Sequence, residues 1–334
     1  MISIKHFPNK IKAEITLPAS KSISNRALTI GSLCSQRGEI INLSDCDDTE
    51  MMLKALAIYS NTIDVGAAGT AMRFLTAYFS VQQGSEVVLT GTDRMKQRPI
   101  KQLVDALCQL GADIQYIEKE GYPPLLIRGK KLSGGEVHLD ANISSQYISA
   151  IMMIAPTLSK DTLIALSGEI ASRPYIDMTM SVMKNYGADV CWKDERTIFI
   201  SKKSYTPHSI TIESDWSAAS YWYAIASVCD EAELFFPNLN LESSQGDSTL
   251  ATIFNPFGID TEQVSGGVII RKTREKSIDH LDINLFHSPD IAQTITTCCI
   301  AQGVHFKISG LDTLRIKETD RVLALQTELR KLGF

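Results

Sequence analysis

The stretch Leu103–Asp113 reads LVDALCQLGAD, and it decides the fold because its form recurs along the chain. Apolar residues at helical spacing precede Gly111, and glycine is expected just after a helix because it adopts a left-handed backbone without a Cβ clash. The same pattern returns about every 75 residues, which marks an internal repeat. The later copies are Met178–Asp189, Leu250–Asp260 and a fourth that begins at Val322–Leu332 and reaches Gly333.

Short β-patterned segments follow these helices. The predicted strands are Ile114–Ile117 with Leu125–Ile127, Val190–Trp192 with Thr197–Ile200, and Val268–Arg271 after the third helix. A second helix type, which begins with small polar residues, recurs in step with the first. Its starts are Lys21-Ser22, Gly69-Thr70, Ser144-Ser145, Trp216-Ser217 and Ser288-Pro289.

Together these patterns predict an α/β chain of repeated strand–helix–strand–helix–strand–strand (βαβαββ) units. Five units are begun, the first without its strand pair and the fifth ending within its second half. A solenoid, in which helices repeat for packing alone, is the alternative. Units of about 75 residues with mixed strands favour small α/β units. Their helices are rich in Ala, Ile, Met and Thr, so we expect them to be buried beneath their sheets.

Composition indicates a folded protein with two domains. The 334 residues are 44% hydrophobic and 21% charged, with a net charge of −5. No signal-peptide pattern or run of eighteen apolar residues occurs, so we expect a cytoplasmic protein without a membrane segment. The seven cysteines show no paired spacing, which argues against disulfides and zinc. The negative charge argues against a nucleic-acid surface but allows a local basic pocket.

Cations and hydroxyls gather at the predicted helix starts. Backbone N–H groups and the helix dipole make a helix N-terminus a place for anions. Taken singly, a serine there is an ordinary cap and an arginine is usually solvated. Their recurrence in successive units instead predicts a basic pocket for a small substrate with several negative charges.

Several motifs resemble those of the 5-enolpyruvylshikimate-3-phosphate (EPSP) synthase family, the 3-phosphoshikimate 1-carboxyvinyltransferases. In family order they are Leu17–Ala27 (LPASKSISNRA), Ala68–Arg73 (AGTAMR), Arg94–Ile100 (RMKQRPI), Ser144–Gln146 (SSQ), Ser172–Tyr175 (SRPY), Ser288–Asp290 (SPD) and Arg315–Arg321 (RIKETDR). The similarity runs through essentially the whole chain.

The resemblance implies the two-domain enolpyruvyl transferase fold, an inside-out α/β barrel of repeated βαβαββ units. The first domain would be residues 20–214, and the second 1–19 plus 215–334, with crossovers near Ser20 and Ser214. The implied reaction moves the enolpyruvyl group of phosphoenolpyruvate to the 5-hydroxyl of shikimate 3-phosphate and releases phosphate, in aromatic amino-acid biosynthesis. No metal or organic cofactor is implied, and we expect a monomer.

The resemblance also implies site residues. Shikimate 3-phosphate would be bound by Lys21, Ser22, Arg26, Ser144, Ser145, Gln146, Ser172, Tyr175, Asp290 and Lys317. Phosphoenolpyruvate would be bound by Lys21, Gly69, Arg94, Gln146 and Arg321. Asp290 would be the base on the 5-hydroxyl, Glu318 a proton-transfer partner, and Lys21 a third catalytic residue. The chemistry fits, because a hydroxyl needs a carboxylate to take its proton and forked arginines neutralise phosphate and carboxylate charge.

The chain also departs from the family pattern. Ala67 stands where Asn is common, Phe74 replaces a usual Pro, and Thr313 lies near a common Asn. Gly69 is retained, and in the family glyphosate occupies the space beside it, so sensitivity to glyphosate is a hypothesis. The family continues with a sixth unit that carries a His-Arg motif and a Lys. We therefore expect this chain to recognise shikimate 3-phosphate but to turn over feebly or not at all.

Two alternatives remain at this point. One is the related transferase that adds enolpyruvate to UDP-N-acetylglucosamine, which typically has Lys-Asn after the first strand. The segment from Lys21 to Arg26 favours shikimate 3-phosphate instead. The other is a non-catalytic fragment that binds shikimate 3-phosphate, and the presence of Asp290 and Glu318 speaks against it.

Overall fold

The structure is a computed structural model that describes residues 9–57, 60–142 and 144–334. Their contacts divide the chain into two units. The large unit consists of Lys21–Ile212 and Thr313–Gln326, and the small unit of the described residues up to Ser20, Glu213–Asp312 and Thr327–Phe334. Residues 1–8, which the sequence analysis assigned to the second domain, lie outside the described residues.

Strands and helices alternate along the chain. The strands are β1 (Lys10–Glu14), β2 (Ile40–Ile41), β3 (Thr62–Asp64), β4 (Glu86–Thr90), β5 (Asp113–Tyr116), β6 (Leu125–Arg128), β7 (Gly135–Asp140), β8 (Thr162–Ser167), β9 (Val190–Trp192), β10 (Thr197–Ile200), β11 (Ile210–Thr211), β12 (Glu231–Pro237), β13 (Ile259–Val264), β14 (Gly267–Lys272), β15 (His280–Asn284) and β16 (His305–Ser309). The α-helices are α1 (Lys21–Leu33), α2 (Asp47–Ala57), α3 (Gly69–Ser80), α4 (Lys101–Gln109), α5 (Ser145–Ile154), α6 (Arg173–Asn185), α7 (Trp216–Val228), α8 (Leu250–Ile253), α9 (Ala292–Ala301) and α10 (Arg321–Lys331).

The large unit contains two complete copies of the predicted repeat. One sheet has the order β3-β4-β6-β5, with β3 parallel to β4 and the β5–β6 pair antiparallel. The other has the matching order β7-β8-β10-β9 and the same directions. The predicted strand pairs at β5–β6 and β9–β10 are therefore confirmed, and each unit reads βαβαββ.

The first repeat is shortened, as predicted. Among the described residues between α2 and β3 there is no strand, and β2 pairs in parallel with β11. Four helices of the large unit pack together, because α3 packs on α5, α5 on α6, and α1 on all three. Every residue of α5 except Gln146 is buried, so the expected burial of the helices is confirmed here.

The small unit has one four-stranded and one two-stranded sheet. The first has the order β1-β12-β14-β13, in which β1 lies parallel to β12 and so supplies the opening strand. The second pairs β15 with β16 in parallel, the start of a further repeat. Helix α7 packs against α9, and both lie beside these strands.

One helix prediction is wrong in part. Leu250–Asp260 holds only the four-residue helix α8, followed by a 3-10 turn over Asn255–Phe257. Pro256 lacks the N–H that would bond to the carbonyl of Thr252, so the helix cannot continue there. The glycine prediction is correct: Gly258 has φ +86°, and the equivalent Gly111 has φ +98°.

The segment Thr313–Gln326 groups with the large unit although its neighbours in sequence do not. Arg94 holds it there, because its Nη2 donates to the carbonyl of Lys317 at 3.0 Å and its Nε to that of Glu318 at 3.3 Å. None of the helices in the described ranges combines the length and the hydropathy needed to cross a bilayer.

Candidate active site

In the large unit, side chains at helix starts contact one another. Gln146 in the first turn of α5 donates from Nε2 to Thr70 Oγ1 in the first turn of α3, at 3.3 Å. The backbone N–H of Thr70 donates to Asp48 Oδ1 of α2 at 3.4 Å. Residues 76 positions apart in sequence are therefore neighbours here. Three helix starts meet at this place.

Arg26 joins α1 to α5 and α6 from inside the core. It is 2% exposed, and its guanidinium donates to Thr179 Oγ1 at 2.7 Å and to the Ser22 carbonyl at 2.8 Å. Nη2 also donates to Ser149 Oγ and to the Tyr175 carbonyl, both at 3.2 Å. Burial lowers its pKa to about 10. Four of the five N–H donors of its guanidinium bond to protein acceptors, so Arg26 holds the helix starts together and one Nη1–H remains for a ligand.

The serines predicted to bind phosphate lie at two helix starts. Ser144 caps α5, since its Oγ accepts from the Gln146 N–H at 3.3 Å, and Ser145 is the next residue. Ser172 precedes α6 and has the left-handed backbone angles φ 54° and ψ 43°, without a capping bond from its side chain. Such a conformation costs a serine about 1–3 kcal/mol, and residues held in strained conformations cluster at functional sites. Tyr175 follows, with its ring 5.9 Å from the Arg26 guanidinium.

Gly69 opens α3 against an arginine. A Cβ built on Gly69 would lie 2.4 Å from Arg98 Nη1 and 2.8 Å from Nη2, so any larger residue would displace the end of the arginine side chain. Arg73, one turn further along α3, is 5% exposed and donates to the Gly69 carbonyl at 2.9 Å. Burial, and next the Arg73 charge, lower the pKa of Arg98 to about 10.

The 313–326 segment brings further charges to the large unit. Arg321 Nε donates to Glu318 Oε1 at 2.7 Å, and Arg94 binds the two carbonyls described above. Partial burial acts to raise the pKa of Glu318, but the hydrogen bond from Arg321 and the nearby charges of Arg321 and Lys317 leave it below its usual value. Glu318 is therefore a carboxylate at neutral pH in this structure. Lys21, the first residue of α1, is exposed.

Asp290 belongs to the small unit, and its surroundings are residues of that unit. It lies in the 3-10 turn Pro289–Ile291 that leads into α9 and is half-buried. The preceding Ser288 is 4% exposed and donates from Oγ to the Gly246 carbonyl at 2.9 Å, which anchors the turn. The turn is thereby held in one position at the start of a helix.

The sequence placed Arg98 among the cations at helix starts without assigning it a ligand, and it gave Arg73 and Asp48 no role. Arg73 and Arg98 stand inside the quoted motifs Ala68–Arg73 and Arg94–Ile100, so the signal was present, but only the fold shows that they face the same glycine. Asp48 carried no motif. Among the described residues, no group of three or more His, Cys, Asp or Glu side chains is placed to hold a metal ion.

Comparisons with known proteins give a consistent result. The sequence profile of EPSP synthase (3-phosphoshikimate 1-carboxyvinyltransferase) matches residues 6–59 and 56–334. A 3-phosphoshikimate 1-carboxyvinyltransferase of Bacteroides fragilis (strain YCH46) is 49% identical over 327 residues, which cover 98% of this chain and 79% of that protein. The protein of the same name from Actinobacillus pleuropneumoniae serotype 5b (strain L20) is 38% identical over 355 residues, which cover 97% of this chain and 81% of that protein.

Solved structures show the same fold. EPSP synthase from Acinetobacter baumannii superposes with a TM-score of 0.75 at 20% identity, covering 97% of this chain and 79% of that one. The enolpyruvyl transferase NikO from Streptomyces tendae gives 0.64 at 11% identity, covering 91% and 76%. The predicted enolpyruvyl transferase fold is confirmed, and the solenoid alternative is excluded.

Proposed function

The chain belongs to the EPSP synthase family, and on that premise we propose how its residues divide the work of the reaction. Its function is the transfer of the enolpyruvyl group of phosphoenolpyruvate to shikimate 3-phosphate in the shikimate pathway, and neither alternative is favoured. The observation that carries the assignment of residues is the contact network of the large unit. It joins the starts of α3 and α5, and those of α1 and α6, through Gln146 and Arg26.

For shikimate 3-phosphate, we propose binding by hydroxyls and cations at the starts of α1, α5 and α6. Serine hydroxyls and free N–H groups at helix starts suit a phosphate monoester, because they donate hydrogen bonds where the dipole is positive. The strained backbone of Ser172 supports a binding role there. The proposed residues are Lys21, Ser22, Arg26, Ser144, Ser145, Gln146, Ser172 and Tyr175, together with Asp290 and Lys317.

For phosphoenolpyruvate, we propose binding by Arg94 and Arg321, with Lys21, Gln146 and Gly69, whose missing side chain leaves a space that the Arg98 guanidinium approaches. Both arginines contact the segment that carries Glu318: Arg94 donates to its backbone carbonyl and Arg321 to its carboxylate. Forked guanidinium groups match the paired oxygens of carboxylate and phosphate. These contacts support a shared role. Binding of glyphosate in the same space stays a prediction.

We add Arg98 to the phosphoenolpyruvate side of the site. Its guanidinium lies over Gly69 beside Arg73, and its Nε is buried without a hydrogen-bond partner among the described residues. A buried arginine nitrogen without a partner is costly, and two neighbouring guanidinium groups at a helix start repel each other. A bound anion would relieve both costs. Arg94, by contrast, already donates to two backbone carbonyls.

For the chemical steps, we propose that Asp290 removes the proton of the 5-hydroxyl as that oxygen attacks. During that attack, protonated Glu318 gives its proton to the methylene carbon of phosphoenolpyruvate while the 5-oxygen bonds to the adjacent carbon. The tetrahedral adduct then loses a proton from the new methyl group to Glu318, the bond from that adjacent carbon to the phosphate oxygen breaks, and Lys21 neutralises charge on the departing phosphate. Glu318 must gain a proton to act as an acid, and a bound anion beside it would favour that by raising its pKa. Phosphate leaves once the carbon–oxygen bond breaks.

The remaining expectations about the whole chain are also proposals. We propose two domains with crossovers near Ser20 and Ser214, a monomer, and a cytoplasmic location. The antiparallel bridge between Ala19 and Ser214, both of the small unit, supports the crossover positions because it brings the two predicted crossovers side by side.

Calorimetry tests the binding part of this proposal. Shikimate 3-phosphate is expected to bind the chain, and Ser145→Ala to weaken that binding by about 10-fold or more, since a hydrogen bond to a charged group contributes about 1.5–3 kcal/mol. The matched control is Ser35→Ala, because Ser35 is exposed and lies after α1. Equal affinity in both variants would contradict the site assignment. Absence of any binding by the unmodified chain would contradict the proposed substrate.

A further inference from the structure

Ser172 holds a backbone conformation that its own side chain does not secure. Its φ of 54° and ψ of 43° are left-handed, and its side chain makes no capping bond to α6. A serine keeps such a conformation only where its surroundings over-determine it. One support is on the N-terminal side, where the Ala171 N–H donates to the Ala141 carbonyl at 3.2 Å.

The support on the C-terminal side is a closed triangle of three side chains. Arg173, the residue after Ser172, stacks on the Trp192 ring with its guanidinium carbon 4.2 Å from the ring centre. Trp192 Nε1 donates to Asp177 Oδ1 at 2.8 Å. Asp177 Oδ2 in turn lies 3.9 Å from Arg173 Nε, one helical turn along α6. Each member of this triangle therefore contacts the other two.

The triangle ties the start of α6 to the sheet of the same repeat. Trp192 ends β9, where it pairs with Ile198 of β10 in the four-stranded sheet. Its position is therefore set by the sheet, whereas Arg173 and Asp177 belong to the helix. A cation held against an aromatic face and a nearby carboxylate loses freedom of movement. The residue that precedes Arg173 is then fixed at the point where the chain enters the helix.

The same contacts show which groups of the protein interact with the Arg173 guanidinium. Its charge lies at a helix start, where the dipole disfavours a cation, and Asp177 and the Trp192 ring compensate it there. Its side chain is 39% exposed, so part of it is solvated. Arg173 therefore has partners within the protein, and the neighbouring Ser172 is the residue of the proposed site.

We propose that Trp192 and Arg173 are positioning residues for shikimate 3-phosphate, which act by holding Ser172 in its left-handed conformation at the start of α6. This inference rests on the proposed function, because Ser172 is one of the proposed ligands of that substrate. It deepens that function by adding two residues that do not touch the substrate. The triangle acts through the φ and ψ angles of Ser172. Loss of the triangle therefore changes the direction of the Ser172 hydroxyl.

The test compares Trp192→Leu, Trp192→Phe and Arg173→Gln with the control Trp222→Leu. Trp222 is a half-buried tryptophan of α7 in the small unit, so the control makes the same chemical change elsewhere. Calorimetry would measure the Kd of shikimate 3-phosphate. Trp192→Leu and Arg173→Gln are each expected to raise it about 5-fold, Trp192→Phe less than about 2-fold because the aromatic face is kept, and Trp222→Leu not at all.

A double-mutant cycle separates positioning from a general loss of structure. If Trp192 acts through Ser172, Trp192→Leu should raise the Kd by less than about 2-fold once Ser172→Ala is present, because the affected hydroxyl is already gone. Additive effects of the two substitutions would overturn the inference. Thermal unfolding serves as the second readout: both Trp→Leu variants should lower the unfolding temperature, but only the one at Trp192 should weaken binding.

Further outcomes distinguish the roles of the individual residues. A weaker affinity in Arg173→Gln with an unchanged affinity in Trp192→Leu would make Arg173 a direct ligand and overturn the inference. If Trp192→Leu does not fold, the double-mutant cycle is carried out with Arg173→Gln and Ser172→Ala, and the same comparison of Kd values tests the inference. An unmodified chain that does not bind shikimate 3-phosphate contradicts both the proposed function and this inference. Binding that none of these variants alters contradicts the inference alone.

Discussion

Cations lie at two helix starts of the large unit, and carboxylates lie at two helix starts of the small unit. In the small unit, Asp215 caps α7 by accepting from the Ala218 N–H at 2.9 Å, and Asp290 stands in the turn before α9. In the large unit, Lys21 opens α1 and Arg98 lies against the start of α3. Carboxylates also occur at helix starts of the large unit, since α2 has acidic residues in its first turn and Asp320 Oδ1 accepts from the Leu323 N–H of α10 at 2.9 Å.

The difference separates two uses of a helix N-terminus. A carboxylate there is stabilised by the dipole and by free N–H groups, so the small unit satisfies its own helix starts. A cation there is destabilising until an anion arrives, so the large unit has helix starts suited to ligand binding at some loss of stability. Three predictions test whether this contrast holds.

The largest expected effect is on turnover, from the small unit. Asp290→Asn is expected to lower the rate constant for phosphate release by about 100- to 10,000-fold relative to the unmodified chain, the range for removal of a general base. Affinity for shikimate 3-phosphate, measured by calorimetry, should change far less, because most of the proposed binding groups belong to the large unit. Loss of that affinity together with turnover would break the division of roles between the units.

An intermediate effect is expected on folding stability, with opposite signs in the two units. Lys21→Met removes a cation from a helix start and should raise the free energy of unfolding by about 0.3–1 kcal/mol. Asp215→Ala removes a cap and should lower it by about 1 kcal/mol. Denaturant titrations of the two variants give the signs directly. The contrast fails if both substitutions shift stability in the same direction.

The smallest expected effect is on the pH dependence of the free energy of unfolding, through one carboxylate of the small unit. Glu213 accepts from Ser243 Oγ and from Gln245 Nε2, yet its burial raises its pKa above the ordinary value of 4.5. Because the pKa of Glu213 is raised in the folded state, the stability that this side chain contributes is fully present below its unfolded-state pKa. That contribution is lost as the pH rises through its folded-state pKa. Glu213→Gln should therefore gain stability relative to the unmodified chain as pH rises from about 4 to about 7.

Unfolding free energies at the two ends of that pH range check this result. Glu242→Gln, at an exposed position of the same unit, controls for the removal of one negative charge. A stability difference between Glu213→Gln and the unmodified chain that stays constant over the range would show that burial does not disfavour the Glu213 carboxylate.

Local patterns in the sequence predicted most of the secondary structure. Apolar spacing and terminal glycines identified the helices before Gly111 and Gly187, and the β-patterned segments that follow them identified the strand pairs β5–β6 and β9–β10. The exception, at Leu250–Asp260, came from reading apolar spacing without weighing Pro256. The motifs likewise identified the helix starts that form the candidate site, although the roles of those residues remain proposals.

By itself, then, the sequence determined the repeats, the α/β class and the family, because these depend on the order of residues within single units and motifs. Only the tertiary structure decided which charges are buried together and which side chains support a helix start. Arg26 is a core arginine with four protein acceptors. Arg98 lies against Gly69, and the Trp192 ring stacks on Arg173. Burial and electrostatic coupling depend on distances between residues far apart in sequence, and no local pattern encodes those distances.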